Sequence, residues 1–115
     1  MIRMLRGKIT DVSEMNVVLD VQGVGYLLNT PIYCTHLEIG STVTFHTYLA
    51  VRETALDLYG FTNREELQIF EILLGVPKVG PKSALQILKQ ASPMLLSEAA
   101  HKNDPAYLQK VSGLG

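Results

Sequence analysis

Through its first sixty residues the chain switches between apolar and polar positions with a period of two, the repeat of a strand that buries one face. The clearest run sets Val43, Phe45, Thr47, Leu49 and Val51 against Thr44, His46, Tyr48 and Ala50. Ile2 to Val12 is compatible with a strand bulged at Gly7, and Val17-Val18-Leu19-Asp20-Val21 reads as a buried strand ending in a turn at Gly23-Val24-Gly25. Tyr26 to Thr30 pairs back, Pro31 to Gly40 forms a connection with room for a helical turn, and Leu56 to Phe61 supplies a fifth strand.

At Thr62 the period changes. Thr62-Asn63-Arg64-Glu65 has the form of a capping box, after which Leu67, Phe70, Leu73 and Leu74 recur at helical spacing up to Gly75. Pro81 suits a first helical position, and Ala84, Leu85, Ile87 and Leu88 form the next apolar face. Ser92-Pro93 and Asp104-Pro105 repeat that start signal and open two more short helices. The expected fold is therefore α+β. Residues 1–62 form a five-stranded barrel of the oligonucleotide-binding (OB-fold) type, and residues 63–115 form an all-α domain whose helix pairs are hinged by Gly75–Gly80 and Gly113–Gly115.

Composition removes several classes. With 115 residues, 47% of them hydrophobic and 18% charged, the chain can bury a core and is not expected to be disordered. No apolar run is long enough for a bilayer, and Met1-Ile2-Arg3-Met4-Leu5-Arg6 threads charges where a signal peptide would be apolar. A cytoplasmic protein without a membrane partner is expected, and the single cysteine, Cys34, agrees with a reducing compartment.

Net charge is −1, but its distribution is uneven. Residues 1–74 carry five Lys/Arg against nine Asp/Glu, whereas residues 75–115 carry five Lys against Glu98 and Asp104. A polyanion would be held by the second part and repelled by the first. Ordinary surface scatter is the alternative.

The string Val79-Gly80-Pro81-Lys82-Ser83-Ala84 lies between apolar helical runs, and Gly113-Leu114-Gly115 echoes it at the end of the sequence. The first resembles a helix–hairpin–helix motif, in which a glycine turn and the following helix N-terminus hold one phosphate without reading bases. The N–H groups of Gly80, Lys82 and Ser83 can converge on an oxygen there, with Lys82 adding a point charge. The alternative, a glycine turn that merely joins two packed helices, is weakened when a second such turn lies in the same small domain.

Other constellations favour plain structural readings. His36, His46 and His101 lack metal-ligand spacing, and Cys34 with His36 is a pair without further partners. Glu65-Glu66 sit in a first helical turn, where negative charge is favourable. Lys82 lacks the frame of a nucleotide-binding loop, so no cofactor and no ATP hydrolysis are expected of this chain. Tyr26, Tyr48 and Tyr59 have the chemistry of base-stacking platforms, but strand tyrosines more often fill core positions.

The order of parts resembles the RuvA family of bacterial Holliday-junction branch-migration proteins. The resemblance is carried by Met1-Ile2-Arg3-Met4-Leu5-Arg6-Gly7, Gly23-Val24-Gly25-Tyr26, Val51-Arg52-Glu53, Leu58-Tyr59-Gly60-Phe61, Val79-Gly80-Pro81-Lys82 and Gly113-Leu114-Gly115, and it spans the whole chain. It implies a barrel used for oligomerisation and the junction centre, two helix–hairpin–helix motifs, and a homotetramer that clasps four-way junction DNA in an open, square arrangement. DNA-binding residues implied are Lys78, Val79, Gly80, Lys82, Ser83, Gly113, Leu114 and Gly115, with Glu53 on an acidic loop that keeps strands apart at the centre. It further implies a non-catalytic subunit partnered by the ATP-driven motor RuvB and by the junction resolvase RuvC.

Two departures bear on that expectation. The family typically has Gly-Val-Gly at the first hairpin, whereas Lys78-Val79-Gly80 stands here, so position 78 must make the turn without glycine's freedom. The family also places two adjacent acids on the central loop, and here Thr54 follows Glu53, which weakens the repulsive field. The chain stops at Gly115 inside the second motif, so the motor-docking domain is expected to be missing and junction binding less tight than in a complete chain.

Three functional classes follow from these residues. The first is a structure-selective junction-binding subunit. The others are a single-strand-binding barrel with an accessory helical domain, and a nuclease that holds a metal with Asp57 and Glu53.

Overall fold

Among the residues it describes, 1–31 and 37–90, the computed structural model holds five strands and two helices, divided into the units Met1–Asn63 and Arg64–Gly115. The first unit contains β1 (Met4–Ser13), β2 (Asn16–Val21), β3 (Val24–Asn29), β4 (Thr42–Arg52) and β5 (Ala55–Phe61). They close into a barrel in the order β1-β2-β3-β5-β4, with β4 pairing back onto β1. Of these pairings, only β3 with β5 is parallel. Together with the helices of the second unit this is the expected α+β fold with an OB-type barrel.

β1 divides its length between its two neighbours. β1 pairs with β4 from Met4 to Lys8 and with β2 from Lys8 to Ser13. The bulge expected at Gly7 lies instead between Ile9 and Asp11, where the register against β2 shifts and the strand bends from one partner toward the other. Gly7 has a different reason to be glycine: a Cβ there would overlap the backbone oxygen of Asp20. Only a residue without a side chain lets β2 pass this close.

The turn expected at Gly23-Val24-Gly25 is also displaced. Gln22 and Gly23 form the two-residue loop, with φ of 52° and 92°, and Val24 and Gly25 already belong to β3. Positive φ at both central positions matches the loop to the right-handed twist of the strands. The Gly23 amide donates to Asp20 Oδ1 at 2.8 Å, which fixes the bend.

Ile9, Val17, Leu19, Leu28, Phe45 and Leu58 form the barrel core. Burying each such side chain contributes about 1.5–3 kcal/mol. Thr47, fully buried among them, is satisfied by donating its Oγ1 hydrogen to Ile2 O at 2.8 Å. The β3–β5 ladder has only the rungs Leu28↔Leu58 and Asn29↔Tyr59, and the Asn29 side-chain amide adds a bond to Leu58 O at 3.1 Å.

Alternation along β4 holds for Phe45 and Thr47 and then breaks: Ala50 is buried and Val51 is 66% exposed. Beyond the last rungs to β1 and β3, the β4 and β5 strands pair only with each other, through Ala50↔Asp57, Val51↔Leu56 and Arg52↔Ala55. Val51 and Leu56 thus continue an apolar face past the barrel core into water.

In the second unit, α1 (Arg64–Leu74) and α2 (Pro81–Gln90) pack on one another. α1 buries Leu67, Ile69, Phe70 and Leu73, and α2 buries Ala84, Leu85, Ile87 and Leu88. The helix begins at Arg64, which puts Asn63 in the N-cap position, one residue later than the box at Thr62 predicts. The helix starts at Ser92-Pro93 and Asp104-Pro105 lie outside the described residues.

Candidate nucleic-acid interface

Between α1 and α2 the backbone makes two successive bends. The Gly75 amide donates to Ile72 O and the Val76 amide to Leu73 O, both at 3.0 Å, tightening the end of α1. The Val79 amide then donates to Val76 O at 3.1 Å, closing the turn Val76-Pro77-Lys78-Val79. Pro77 in its second place and a left-handed Lys78 in its third, at φ 68°, are the features of a type II turn.

The left-handed residue of the hinge is thus Lys78 and not Gly80, so position 78 makes the turn without glycine's freedom, as the departure from Gly-Val-Gly requires. A side chain in the left-handed region costs about 1–2 kcal/mol, a strain the turn's hydrogen bond and the packing of Val76, which is buried, offset. Gly80 is not left-handed, and a Cβ on it would meet nothing within 4 Å. The fold itself leaves that position open.

Gly80 caps the next helix. Its carbonyl accepts the Ala84 amide at 2.9 Å, the first rung of α2, so Pro81 stands in the first helical place and the Lys82 and Ser83 amides precede that rung. No described residue accepts a hydrogen bond from the Gly80, Lys82 or Ser83 amides. Lys78, Gly80, Lys82 and Ser83 are all exposed, and the only acidic residues near in sequence are on α1. An exposed helix N-terminus with free donors and two flanking ammonium groups is complementary to an anion.

Of the residues expected here, Lys78, Gly80, Lys82 and Ser83 lie together on this corner. Val79 differs: its side chain is half-buried and its amide is occupied by the turn, so it shapes the corner and offers no donor. Gly113, Leu114 and Gly115 lie outside the described residues.

Glu53 sits in the first unit, where with Thr54 it forms the two-residue loop between β4 and β5. It is exposed and has no ion-pair partner among the described residues. Behind it Arg52 donates from Nη2 to Asp57 Oδ2 at 2.8 Å. Arg52 faces Ala55 and Asp57 faces Ala50 across the ladder, so the pair is a diagonal contact on one face of the ribbon. The sequence offered one signal for this pair, a five-residue separation spanning a two-residue loop, and that signal becomes readable only once the loop is located.

The remaining candidates settle into the barrel. Tyr59 is buried, Tyr26 is half-buried and packs against the core, and Tyr48 is half-buried on β4. Burial, then the neighbouring Asp57 carboxylate, push the Tyr59 phenol above the ordinary value of 10.0, with Arg52 acting in the opposite direction. No cluster of three His, Cys, Asp or Glu occurs among the described residues, and Asp57 is engaged by Arg52 instead of standing free beside Glu53. Cys34, His36 and His101 lie outside the described residues. No described helix is long and apolar enough to cross a membrane.

Comparison with known proteins agrees with this arrangement of parts. Residues 1–60 match the family model of the RuvA N terminal domain, and residues 70–115 match that of a SAM-like helix-hairpin-helix tandem. The chain is 44% identical over 116 residues to the Holliday junction branch migration complex subunit RuvA of Clavibacter michiganensis, covering all of this chain and 54% of that protein. The subunits of the same name from Moorella thermoacetica and Thermus thermophilus are 41% and 42% identical, again over the whole of this chain and over 57% and 61% of their own lengths. The chain spans somewhat more than half the length of the curated relatives it matches.

Proposed function

The chain belongs to the RuvA family, and from that premise we propose that it is a non-catalytic subunit that binds four-way DNA junctions through their backbones, without regard to base sequence. The observation that carries this reading is the corner at Gly80. Its amide and those of Lys82 and Ser83 meet no acceptor among the described residues, the space over its Cα is open, and Lys78 and Lys82 flank it. A phosphate oxygen fits that corner in charge, donor number and room, and a grip on phosphate carries no base sequence.

In this reading Gly80, Lys82 and Ser83 hold a phosphate of a duplex arm, with Lys78 adding charge beside it. Val79 keeps the corner in shape, and Gly113, Leu114 and Gly115 supply a second grip of the same kind. Glu53 faces the crossover and repels the strands that meet there. The protein acts as a homotetramer in the cytoplasm, with RuvB supplying ATP-driven work and RuvC resolving the junction. The apolar pair Val51 and Leu56, 66% and 69% exposed, favours association of barrels, since a lone barrel leaves it in water.

A gel-shift comparison tests the function. The chain is expected to prefer a four-way junction over a single strand of equal length. Preference for the single strand would overturn the reading in favour of a single-strand-binding barrel with an accessory helical domain, and specific cleavage of the junction in magnesium would make the protein a nuclease.

A further inference from the structure

Arg52 immediately precedes the acidic loop residue Glu53, and alone the two would cancel. The ribbon carries a third charge, Asp57, and its carboxylate takes the Arg52 guanidinium at 2.8 Å. Counting Arg52 as +1 and Glu53 and Asp57 as −1 each leaves the tip at −1; with Asp57 removed the sum is zero. Thr54 adds nothing to that sum.

Resting on the reading that this tip faces DNA, we propose that Asp57 sets the sign of the tip: by holding Arg52 it leaves Glu53 uncancelled and keeps the guanidinium from reaching a phosphate. The pair is a selectivity device. A linear duplex laid across the tip meets net repulsion, whereas the open centre of a junction places no continuous duplex there.

Exposure and geometry both favour this role over a structural one. The side chains are 65% and 33% exposed, and so exposed an ion pair adds little to folding stability. Geometrically, the diagonal contact draws the guanidinium back along the ribbon toward the barrel and away from the loop. The screening length of about 8–10 Å at ordinary salt confines the effect to strands that touch the tip.

The test measures binding of the full chain to a four-way junction and to a linear duplex of the same arm sequence, from about 50 to 200 mM salt, the range over which phosphate contacts separate. Asp57→Asn frees Arg52 and is expected to raise linear-duplex affinity about threefold or more, steepening the salt slope by about one counterion per engaged chain. Asp57→Glu retains wild-type selectivity, and the double variant Arg52→Gln/Asp57→Asn loses the gain. Arg52→Gln alone takes the tip to −2 and lowers duplex affinity. A merely structural pair would give weaker binding for Asp57→Asn and no reversal in the double variant. Unchanged or weaker duplex binding by Asp57→Asn overturns the proposal. Lys82→Ala measured alongside separates the two failures: if it leaves the salt slope intact, the phosphate-gripping function itself fails, and if it flattens the slope while Asp57→Asn changes nothing, only the role of Asp57 fails.

Discussion

Gly7 of β1 lies against the main chain of Asp20 in β2 so closely that a Cβ would overlap the Asp20 carbonyl oxygen and press the Val21 side chain at 3.1 Å. The obstacle is backbone and cannot turn aside. Gly7→Ala is therefore expected to cost at least about 2 kcal/mol, read as a lower denaturant midpoint.

Lys78 presents the opposite case, a side chain where glycine would fit better. Lys78→Gly removes the left-handed strain of about 1–2 kcal/mol and gives back part of it as unfolded-chain freedom. A net gain of about 0.5–1 kcal/mol is expected in thermal unfolding, together with weaker junction binding because an ammonium group is lost.

Gly80 separates folding from binding at a single atom. Serine is a better N-cap than glycine by a few tenths of a kcal/mol, and its Oγ would accept the amides that precede the first rung of α2. Gly80→Ser should leave the melting temperature equal or slightly higher while junction affinity falls. An affinity that held steady would show those amides to be irrelevant to DNA.

Charge at the two sites should act in opposite directions. Lys82→Ala is expected to weaken binding alike across DNA sequences and to flatten the salt dependence by about one counterion per site. Glu53→Gln should leave affinity equal or higher and disturb the open form of the junction, seen as altered arm angles by fluorescence transfer. A collapse of binding in Glu53→Gln would mean that the loop holds structure.

Tyr59 makes stability depend on alkaline pH. Its folded phenol is raised above the ordinary 10.0, mainly by burial, so the folded state holds the proton more tightly than the unfolded chain does. That stabilisation is complete below pH 10 and is lost as pH rises through the folded value. Denaturant titrations between neutral and strongly alkaline pH should show the decline, and Tyr59→Phe should remove its Tyr59 component.

The strands were legible because their period of two survives wherever a strand stays over the core, as Phe45 and Thr47 show. It failed at Val51, which looks like a core residue in sequence and stands in water because its strand outruns the neighbours that would cover it. Gly7 was visible as special and misread, since sequence does not tell a bulge from a close approach between distant strands. The corner holding Gly80 and Lys82 was legible because Pro81 fits a first helical position almost regardless of what packs around it. The Arg52–Asp57 pair was not, because a diagonal contact depends on register and register depends on which residues turn.

The barrel's closure gives β3 and β5 only two shared rungs and one side-chain amide, while every other seam is a longer antiparallel ladder. The partners on the β3–β5 edge, Leu28 with Leu58 and Asn29 with Tyr59, are 30 positions apart in the chain, so two rungs alone must offset the entropy of closing that loop. During assembly the meander of β1 to β3 and the β4–β5 hairpin can each form from local contacts. The parallel edge is then the last to zip and the first to breathe, which makes Asn29 the latch of the cylinder.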